Sequence, residues 1–142
     1  MLVRCLYASR LSAPVNDAML DDILRQSRRN NQKCGITGML CFANGTFVQA
    51  LEGGRTEVSQ LLGRIFADKR HKELQLLMFE EIVQRSFGSW TMGQVNIGAV
   101  NPALLLKFSE RAELNPFTVA GGATLSLLLE IAETGAIAHR GL

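Results

Sequence analysis

Hydrophobic and polar residues follow two different periods along most of the chain. Residues 2–9 and 74–82 are short apolar runs compatible with β-strands. Between them, apolar residues recur at helical spacing over 15–29 and again over 56–67, with charged residues at the intervening positions. Asn16 precedes the first helical stretch, and its side-chain oxygen can accept a backbone N–H of the first turn. The pattern therefore predicts a strand, a helix and, further along, a second helix and strand.

Residues 36–52 carry the clearest local signal, a β-hairpin. Two strand-like runs flank Asn44-Gly45, a pair that favours a two-residue type I′ turn because both residues tolerate a positive φ. That turn sets Ala43 opposite Thr46, and the residues before and after them pair in sequence. Both faces of the hairpin are then apolar, so we expect both to be covered. One face carries Leu40, Phe42, Phe47, Gln49 and Leu51, and the other carries Met39, Cys41, Val48 and Ala50.

The order of elements predicts the fold class. A last short strand is expected from Trp90 through Met92 to Val95, and 68–71 is expected to be a charged loop. The order β-α-β-β-α-β-β is typical of an α+β fold with a ferredoxin-like sheet and two helices on one face. Helical stripes within 102–112 and 124–134 predict a C-terminal helical pair, which would cover the other face or join a subunit interface. We expect residues 1–95 to form the domain and 96–142 to be a helical extension that is not an independent domain.

Composition and charge argue against several classes of function. Fifteen Lys and Arg against thirteen Asp and Glu give a net charge of +2, too small and too scattered for a nucleic-acid partner. Three cysteines cannot all pair and lack zinc-site spacing, and Cys5 and Cys41 lie in apolar runs, so we expect reduced thiols and no metal. With no signal-peptide pattern and no long apolar run, we expect a cytoplasmic protein that does not bind a membrane.

Three polar side chains fall where a core would be aliphatic. Gln49 interrupts the inner face of the hairpin, Tyr7 lies on the first strand, and Asn31 is placed just beyond the first helix. Each has an ordinary structural explanation: a loop carbonyl could bind Gln49, solvent could reach Tyr7, and Asn31 could cap a turn. His71 is expected to be solvated. A buried amide without partners costs about 1–3 kcal/mol, so the residues alone indicate only an unexplained polar cluster.

Several motifs occur in unbroken order over residues 2–95, and their joint spacing is more specific than any one of them. They are Tyr7-Ala8-Ser9; Ile23-Leu24 with Ser27-Arg28 and Asn30-Asn31; Gly35-Ile36-Thr37-Gly38; Gly45, Phe47, Gln49 and Leu51-Glu52-Gly53; Arg64-Ile65, Asp68 and Arg70-His71; and Phe87, Trp90 and Met92. In this combination the chain resembles the BLUF family of blue-light receptors that use flavin. Residues 96–142 are similar to the helical extension of short stand-alone members.

The resemblance implies a flavin bound non-covalently between the two helices, FAD with FMN as the alternative. Ile23 and Ile65 would form apolar walls for the isoalloxazine ring. Asn31 would bind its C4 carbonyl and N3 edge, and Gln49 would bridge Tyr7 to the side of N5 and the C4 carbonyl. Arginine and histidine suit a phosphate because they are charged donors. The positions that would hold the ring edge, ribityl chain or phosphate are Asn30, Arg64, Asp68, Arg70 and His71.

The resemblance also implies how light is sensed. Excitation would draw an electron and a proton from Tyr7, and both would return. Gln49 would then remain rearranged, rotated or tautomerised, and a new hydrogen bond to the C4 carbonyl would red-shift the flavin absorption. An amide suits this role because its donor and acceptor ends can exchange without a change of charge. The signal would leave through Trp90 and Met92 toward the C-terminal helices.

These implications describe a sensor and not an enzyme. No catalytic motif follows Val95, so the output is expected to pass through a homo-oligomer or to a separate partner, such as a cyclic-nucleotide-turnover enzyme or a transcription regulator. Two alternatives stay open: a flavin-dependent oxidoreductase, and a ferredoxin-like interaction module without a cofactor. The lack of a nicotinamide-binding fingerprint argues against the first. The joint presence of Tyr7, Asn31 and Gln49 argues against the second.

Overall fold

The computed structural model describes residues 1–12, 16–43, 45–88 and 92–134. Within these residues the elements follow the predicted order, β-α-β-β-α-β-β and then two helices, which confirms the α+β class. Their bounds are β1 Leu2–Leu11, α1 Asp17–Cys34, β2 Thr37–Ala43, β3 Thr46–Gly54, α2 Arg55–Ala67, β4 His71–Ile82, β5 Gly93–Asn96, a 3₁₀-helix Ile97–Ala99, α3 Pro102–Phe108 and α4 Gly121–Thr134.

The strands form one sheet in the order β4-β1-β3-β2-β5. Only β5 runs parallel to its neighbour, β2, and the other pairs are antiparallel. The predicted hairpin register is confirmed, since Ala43 faces Thr46 and Leu40 faces Gln49. Asn44 lies outside the described residues, and Gly45 has a φ of 77°, a conformation that glycine adopts without strain. Because β4 and β5 lie at opposite edges, the chain between them must cross the ends of the three inner strands.

Each face of the sheet carries its own hydrophobic core. On one face, α1 and α2 pack Leu24 and Val58 against β1 and β3. On the opposite face, Leu105 of α3 and Leu128 of α4 pack against alternating residues of the same strands. Both predicted faces are therefore covered, and the C-terminal helical pair is one of the covers. None of the described helices is long and apolar enough to cross a membrane.

Helix α1 continues further than the periodicity predicts. Asn16 caps it, accepting from the N–H of Met19 at 2.8 Å, as expected. The expectation that Asn31 lies beyond the helix is wrong, because no glycine or proline interrupts the polar residues 28–33 and the helix runs on to Cys34. It ends at Gly35, whose φ of 67° is left-handed. Asn31 is thereby placed on the inner side of a helix and is 1% exposed.

Other boundaries also differ from the expectation. His71 is not in a loop: it is the first residue of β4 and pairs with Leu11, which extends that strand by three residues before the predicted Leu74. Strand β5 begins at Gly93, so Met92 precedes it and is not within it, while Trp90 lies outside the described residues. Helix α3 ends earlier than predicted, and α4 begins at Gly121.

Replacement of Leu128 tests the packing of α4 on the sheet. Leu128 is 0% exposed within the core of that face, so Leu128→Ala should lower the free energy of unfolding by about 2–5 kcal/mol in urea denaturation. Leu106→Ala is the matched control, because Leu106 of α3 is 52% exposed and should change stability by less than about 0.5 kcal/mol. Equal effects of the two variants would mean that α4 is not docked.

Candidate functional site

A cavity of about 150 Å³ lies between α1 and α2, over the face of the sheet that they cover. Its lining includes Tyr7 and all nine residues that the sequence nominated for cofactor binding: Ile23, Asn30, Asn31, Gln49, Arg64, Ile65, Asp68, Arg70 and His71. Residues that are far apart in the sequence thus surround one space. The remaining lining residues, which the sequence analysis did not single out for this site, are Gln26, Ser27, Leu40, Phe47 and Leu61.

The missed residues follow from spacing already visible in the sequence. Gln26 and Ser27 lie three and four positions after Ile23, so they share its side of α1. Leu61 stands four positions before Ile65 on α2. The hairpin register had placed Leu40 and Phe47 on the same face as Gln49. Helical and strand periodicity, applied outward from the nominated residues, would have found all five.

A buried chain of hydrogen bonds begins at the cavity with Tyr7 and Gln49, which line it, and ends at Met92 beneath it. Tyr7 and Gln49 face each other across β1 and β3, and the Tyr7 hydroxyl donates to Gln49 Oε1. Gln49 Nε2 donates to Met92 Sδ at 3.2 Å. A thioether sulfur can only accept, so it fixes the NH₂ end of the amide toward Met92 and leaves the oxygen for Tyr7. Burial raises the pKa of Tyr7 further above its usual value, so this hydroxyl stays protonated.

Asn31, which also lines this cavity, carries an unmet hydrogen-bonding group. Its side chain is 1% exposed, and Nδ2 has no hydrogen-bond partner among the described residues. Leaving such a donor unpaired costs about 1–3 kcal/mol, so a retained one indicates an acceptor supplied from outside the chain. Asn31 therefore marks where a bound molecule would meet the protein with a carbonyl or a similar acceptor.

Charged and polar groups gather at the end of the cavity formed by the segment after α2. Arg70 binds Asp68 through Nε at 3.0 Å and through NH2 at 2.6 Å. The hydrogen bond from Arg70 holds the pKa of Asp68 below its usual value, and the same bond raises the pKa of Arg70. Asn30 and Arg64 also line the cavity and are exposed, so its polar rim can bind a polar or anionic group in contact with solvent.

His71 is enclosed and not solvated as the sequence suggested. Its Nδ1 lies 2.8 Å from Ser9 Oγ, and its ring meets the Phe47 ring edge-on at a centroid distance of 5.7 Å. Desolvation lowers its pKa, only partly offset by the charge of Asp68. His71 is therefore neutral at pH 7, and it offers the cavity a polar ring without a permanent charge.

The sequence of residues 2–93 matches the family described as "BLUF: Sensors of blue-light using FAD". The chain belongs to the BLUF family. The fold agrees with solved BLUF structures at TM-scores of 0.80, both for the photo-activated state of BlsA (32% identity, 92% of this chain and 94% of that one) and for the dark state of BlrB (30% identity, 94% and 96%). Klebsiella pneumoniae BlrP1, solved with FMN and cyclic diGMP, matches at 0.69 and 28% identity over 93% of this chain and 35% of that one.

Curated relatives of this BLUF protein are much longer than the chain. Photoactivated adenylate cyclase subunit alpha of Euglena gracilis is 35% identical over 88 residues, which cover 62% of this chain and 9% of that protein. The beta subunit of Euglena longa is 33% identical over 87 residues, covering 61% and 10%. The chain spans about a tenth of the length of these relatives. What it shares with them is the blue-light sensor module, and that module uses a flavin.

The lowered pKa of His71 predicts how the stability of this BLUF protein depends on pH. The unfolded chain takes up a proton near the ordinary value of 6.5, whereas the folded chain does so only at lower pH. The contribution of His71 to the free energy of unfolding should therefore be fully present above pH 6.5. It should be lost as the pH falls through the folded-state pKa of His71. Asp68 is also shifted downward, but its effect begins only below 3.8.

Urea unfolding of the wild type and of His71→Gln, from about pH 8 to about pH 5, measures this contribution. The wild type should lose stability relative to the variant as the pH falls. Parallel profiles for the two proteins would show that His71 titrates normally in the folded state.

Proposed function

We propose that the cavity between α1 and α2 binds the ring of FAD non-covalently, and that the protein reports blue light to a separate partner and catalyses no reaction. The observation that carries this proposal is the buried Asn31 Nδ2, a donor without an acceptor, on the same cavity as the Tyr7–Gln49–Met92 chain. The carbonyl oxygens of the imide edge of a flavin ring are acceptors of the kind that Asn31 needs.

The lining residues suit the two ends of a flavin. Ile23 and Ile65 face the space from α1 and α2 and would hold the faces of the ring. The cavity of 150 Å³ is smaller than the roughly 300–1,000 Å³ of most small-molecule sites, so it would enclose the ring and leave the tail outside. The tail would then lie along the polar end already described, at Asn30, Arg64, Asp68, Arg70 and His71. FMN remains the alternative because such a site need not recognise the adenine.

Bound flavin absorbs blue light and, once excited, is a stronger oxidant. Tyr7 is placed to respond because its buried hydroxyl is protonated and already donates to Gln49. Tyr7 would give this proton and an electron to the excited flavin and regain both, which would leave no net redox change but would release Gln49 from the bond that fixes its oxygen. Its amide can then rotate or tautomerise without any change of charge. In either case Gln49 no longer offers the same donor to Met92 Sδ, and this change would carry the signal.

The path from Met92 leads through the sheet. Met92 belongs to the core beneath α1 and α2, whereas Val95, three residues later on β5, belongs to the core beneath α3 and α4. A shift at Met92 would therefore reach the C-terminal helices through a single short strand. We assign residues 1–95 to the sensor and 96–142 to the extension. Trp90 is assigned to the photocycle on its motif alone, since it lies outside the described residues.

The extension would pass the signal to other proteins. Its helices suit a homo-oligomer interface or contact with an effector in the cytoplasm. Relatives named as adenylate cyclases support a cyclic-nucleotide-turnover enzyme as one such effector, and a transcription regulator is the alternative. We assign no nucleic-acid, membrane or metal ligand to this protein.

Absorption spectra of the purified protein, recorded in the dark and directly after blue illumination, test the proposal. We expect a flavin spectrum that shifts to the red and returns in darkness. A bound flavin that bleaches with NAD(P)H without oxygen, and shows no shift, would favour an oxidoreductase. Protein that stays colourless after refolding with excess flavin would favour an interaction module without a cofactor.

Replacement of Tyr7 and Gln49 tests their assigned roles. Tyr7→Phe keeps the ring but removes the donor, and Gln49→Leu keeps the size but removes the amide. Both variants should retain flavin and lose the reversible red shift. Gln75→Leu is the matched control, since Gln75 is exposed on β4 and should leave the shift intact. A normal shift in Tyr7→Phe would remove Tyr7 from the mechanism.

A further inference from the structure

Met92, which contacts Gln49, lies at the end of the segment that joins β4 to β5. This segment connects opposite edges of the sheet, and it also changes faces. Phe87 is fully buried in the core beneath α3 and α4, whereas Met92 is fully buried in the core beneath α1 and α2. Residues 83–88 have no regular secondary structure, so no strand or helix partner satisfies their backbone groups, and the buried ones need side chains from elsewhere.

A buried carboxylate supplies acceptors to this segment. Glu52, near the end of β3, is 0% exposed and accepts from the backbone N–H of Ser86 at 2.9 Å and of Phe87 at 2.6 Å. Its charge is matched by Arg4, its neighbour across β1 and β3, at 2.8 Å. Arg4 also binds Ser86 Oγ at 2.7 Å and Glu80 at 2.9 Å. The carboxylate therefore ties the irregular segment to two central strands.

Arg85 binds the same segment to the junction between α1 and β2. Its guanidinium donates to Gly35 O at 2.7 Å, to Thr37 Oγ1 at 2.9 Å and to Glu52 O at 3.2 Å. Gly35 is the residue that ends α1, and Thr37 begins β2. These bonds connect the segment to the helix that forms one wall of the cavity. At the far end, Arg28 of α1 donates to the carbonyl of Met92 at 3.4 Å.

We infer that Arg85 and Glu52 are positioning residues, which hold residues 85–87 so that Met92 stays buried with its sulfur on Gln49 Nε2. The two side chains, with Arg4, form what we term the crossover clamp. The inference rests on the proposed function only for the role of the Gln49–Met92 contact in signalling. The clamp residues neither line the cavity nor contact Gln49, so their effect on the site is indirect, through the chain that leads to Met92 and through the end of α1 that Arg85 holds.

The chemistry of the clamp favours positioning over simple stabilisation. A buried ion pair adds little net stability compared with apolar residues of similar size, because both charges lose their water. What it does provide is directional acceptors for two specific N–H groups. Apolar packing could bury Phe87 equally well, but it could not fix which residue of the segment stands at the end of β3. The residue that stands at the end of β3 in turn sets the position that Met92 can reach.

Oxidation of individual methionines by peroxide, read by peptide mass spectrometry in the dark on flavin-loaded protein, tests the inference. Met92 is 0% exposed and reacts only when its segment opens. We expect Arg85→Ala to raise its oxidation rate by roughly tenfold, the size expected for loss of hydrogen bonds to a charged group. Arg85→Lys should restore part of the protection. Arg25→Ala is the matched control, since Arg25 is an exposed arginine of α1 whose one side-chain partner among the described residues is Asp22.

The chain contains the internal standards that this experiment needs. Met39 is 0% exposed in the core beneath α3 and α4, so it should stay protected as long as the variant is folded, and Met1 is 73% exposed and should always react. If Met39 and Met92 become reactive together, Arg85→Ala has unfolded. In that case the oxidation of Met92 is measured in Thr37→Val instead, because this variant removes one acceptor of Arg85 from a strand that tolerates valine.

A spectroscopic signature separates positioning from a general loss of packing. Displacement of Met92 removes the partner of Gln49 Nε2, so Arg85→Ala should move the dark absorption maximum of bound flavin, while Arg25→Ala should not. Unchanged Met92 protection and an unchanged dark spectrum in both Arg85→Ala and Thr37→Val would overturn the inference. These dark measurements need no photocycle, so a failure of the clamp and a failure of the light-sensing proposal are distinguishable.

Discussion

The hydrogen bond between Tyr7 and Gln49 is the interaction on which the rest of this structure depends. It is set by the pairing of β1 with β3, which places the two residues directly opposite each other on the inner face of the sheet. A polar pair in an apolar core is tolerated only if every group is satisfied. Met92 satisfies the remaining end of the amide, and the segment that carries Met92 is in turn held by Glu52 and Arg85.

The two faces of the sheet differ in their polar content. The face under α1 and α2 contains the cavity and the groups that are free to change partners. Among the described residues, the face under α3 and α4 is apolar apart from the buried Arg4–Glu52 pair and two buried threonines, Thr46 of β3 and Thr124 of α4. The connection between them is narrow, because β5 has only four residues and pairs only with β2. Under the proposed mechanism, a small change at Gln49 would be directed toward the C-terminal helices and would not spread over the whole sheet.

The features predicted well from the sequence are those set by short-range chemistry. The Asn44-Gly45 pair gave the hairpin register, and the register placed Gln49 on the inner face beside Phe47. Asn31 and His71 were misplaced because both lie where a polar run continues an element, and polarity alone does not show that a helix or strand has ended. The crossover clamp could not be predicted, since its bonds join residues 33 to 82 positions apart and depend on the strand order.

The central claim is that Gln49 changes its hydrogen bonds when light is absorbed, and an infrared light-minus-dark difference spectrum measures this most directly. Protein labelled with carbon-13 in the glutamine side chains should show a label-sensitive amide band. The band should persist in Gln26→Leu, which removes the other glutamine of the cavity. If the flavin bands shift on illumination and no label-sensitive band accompanies them, Gln49 does not carry the signal and the account is wrong.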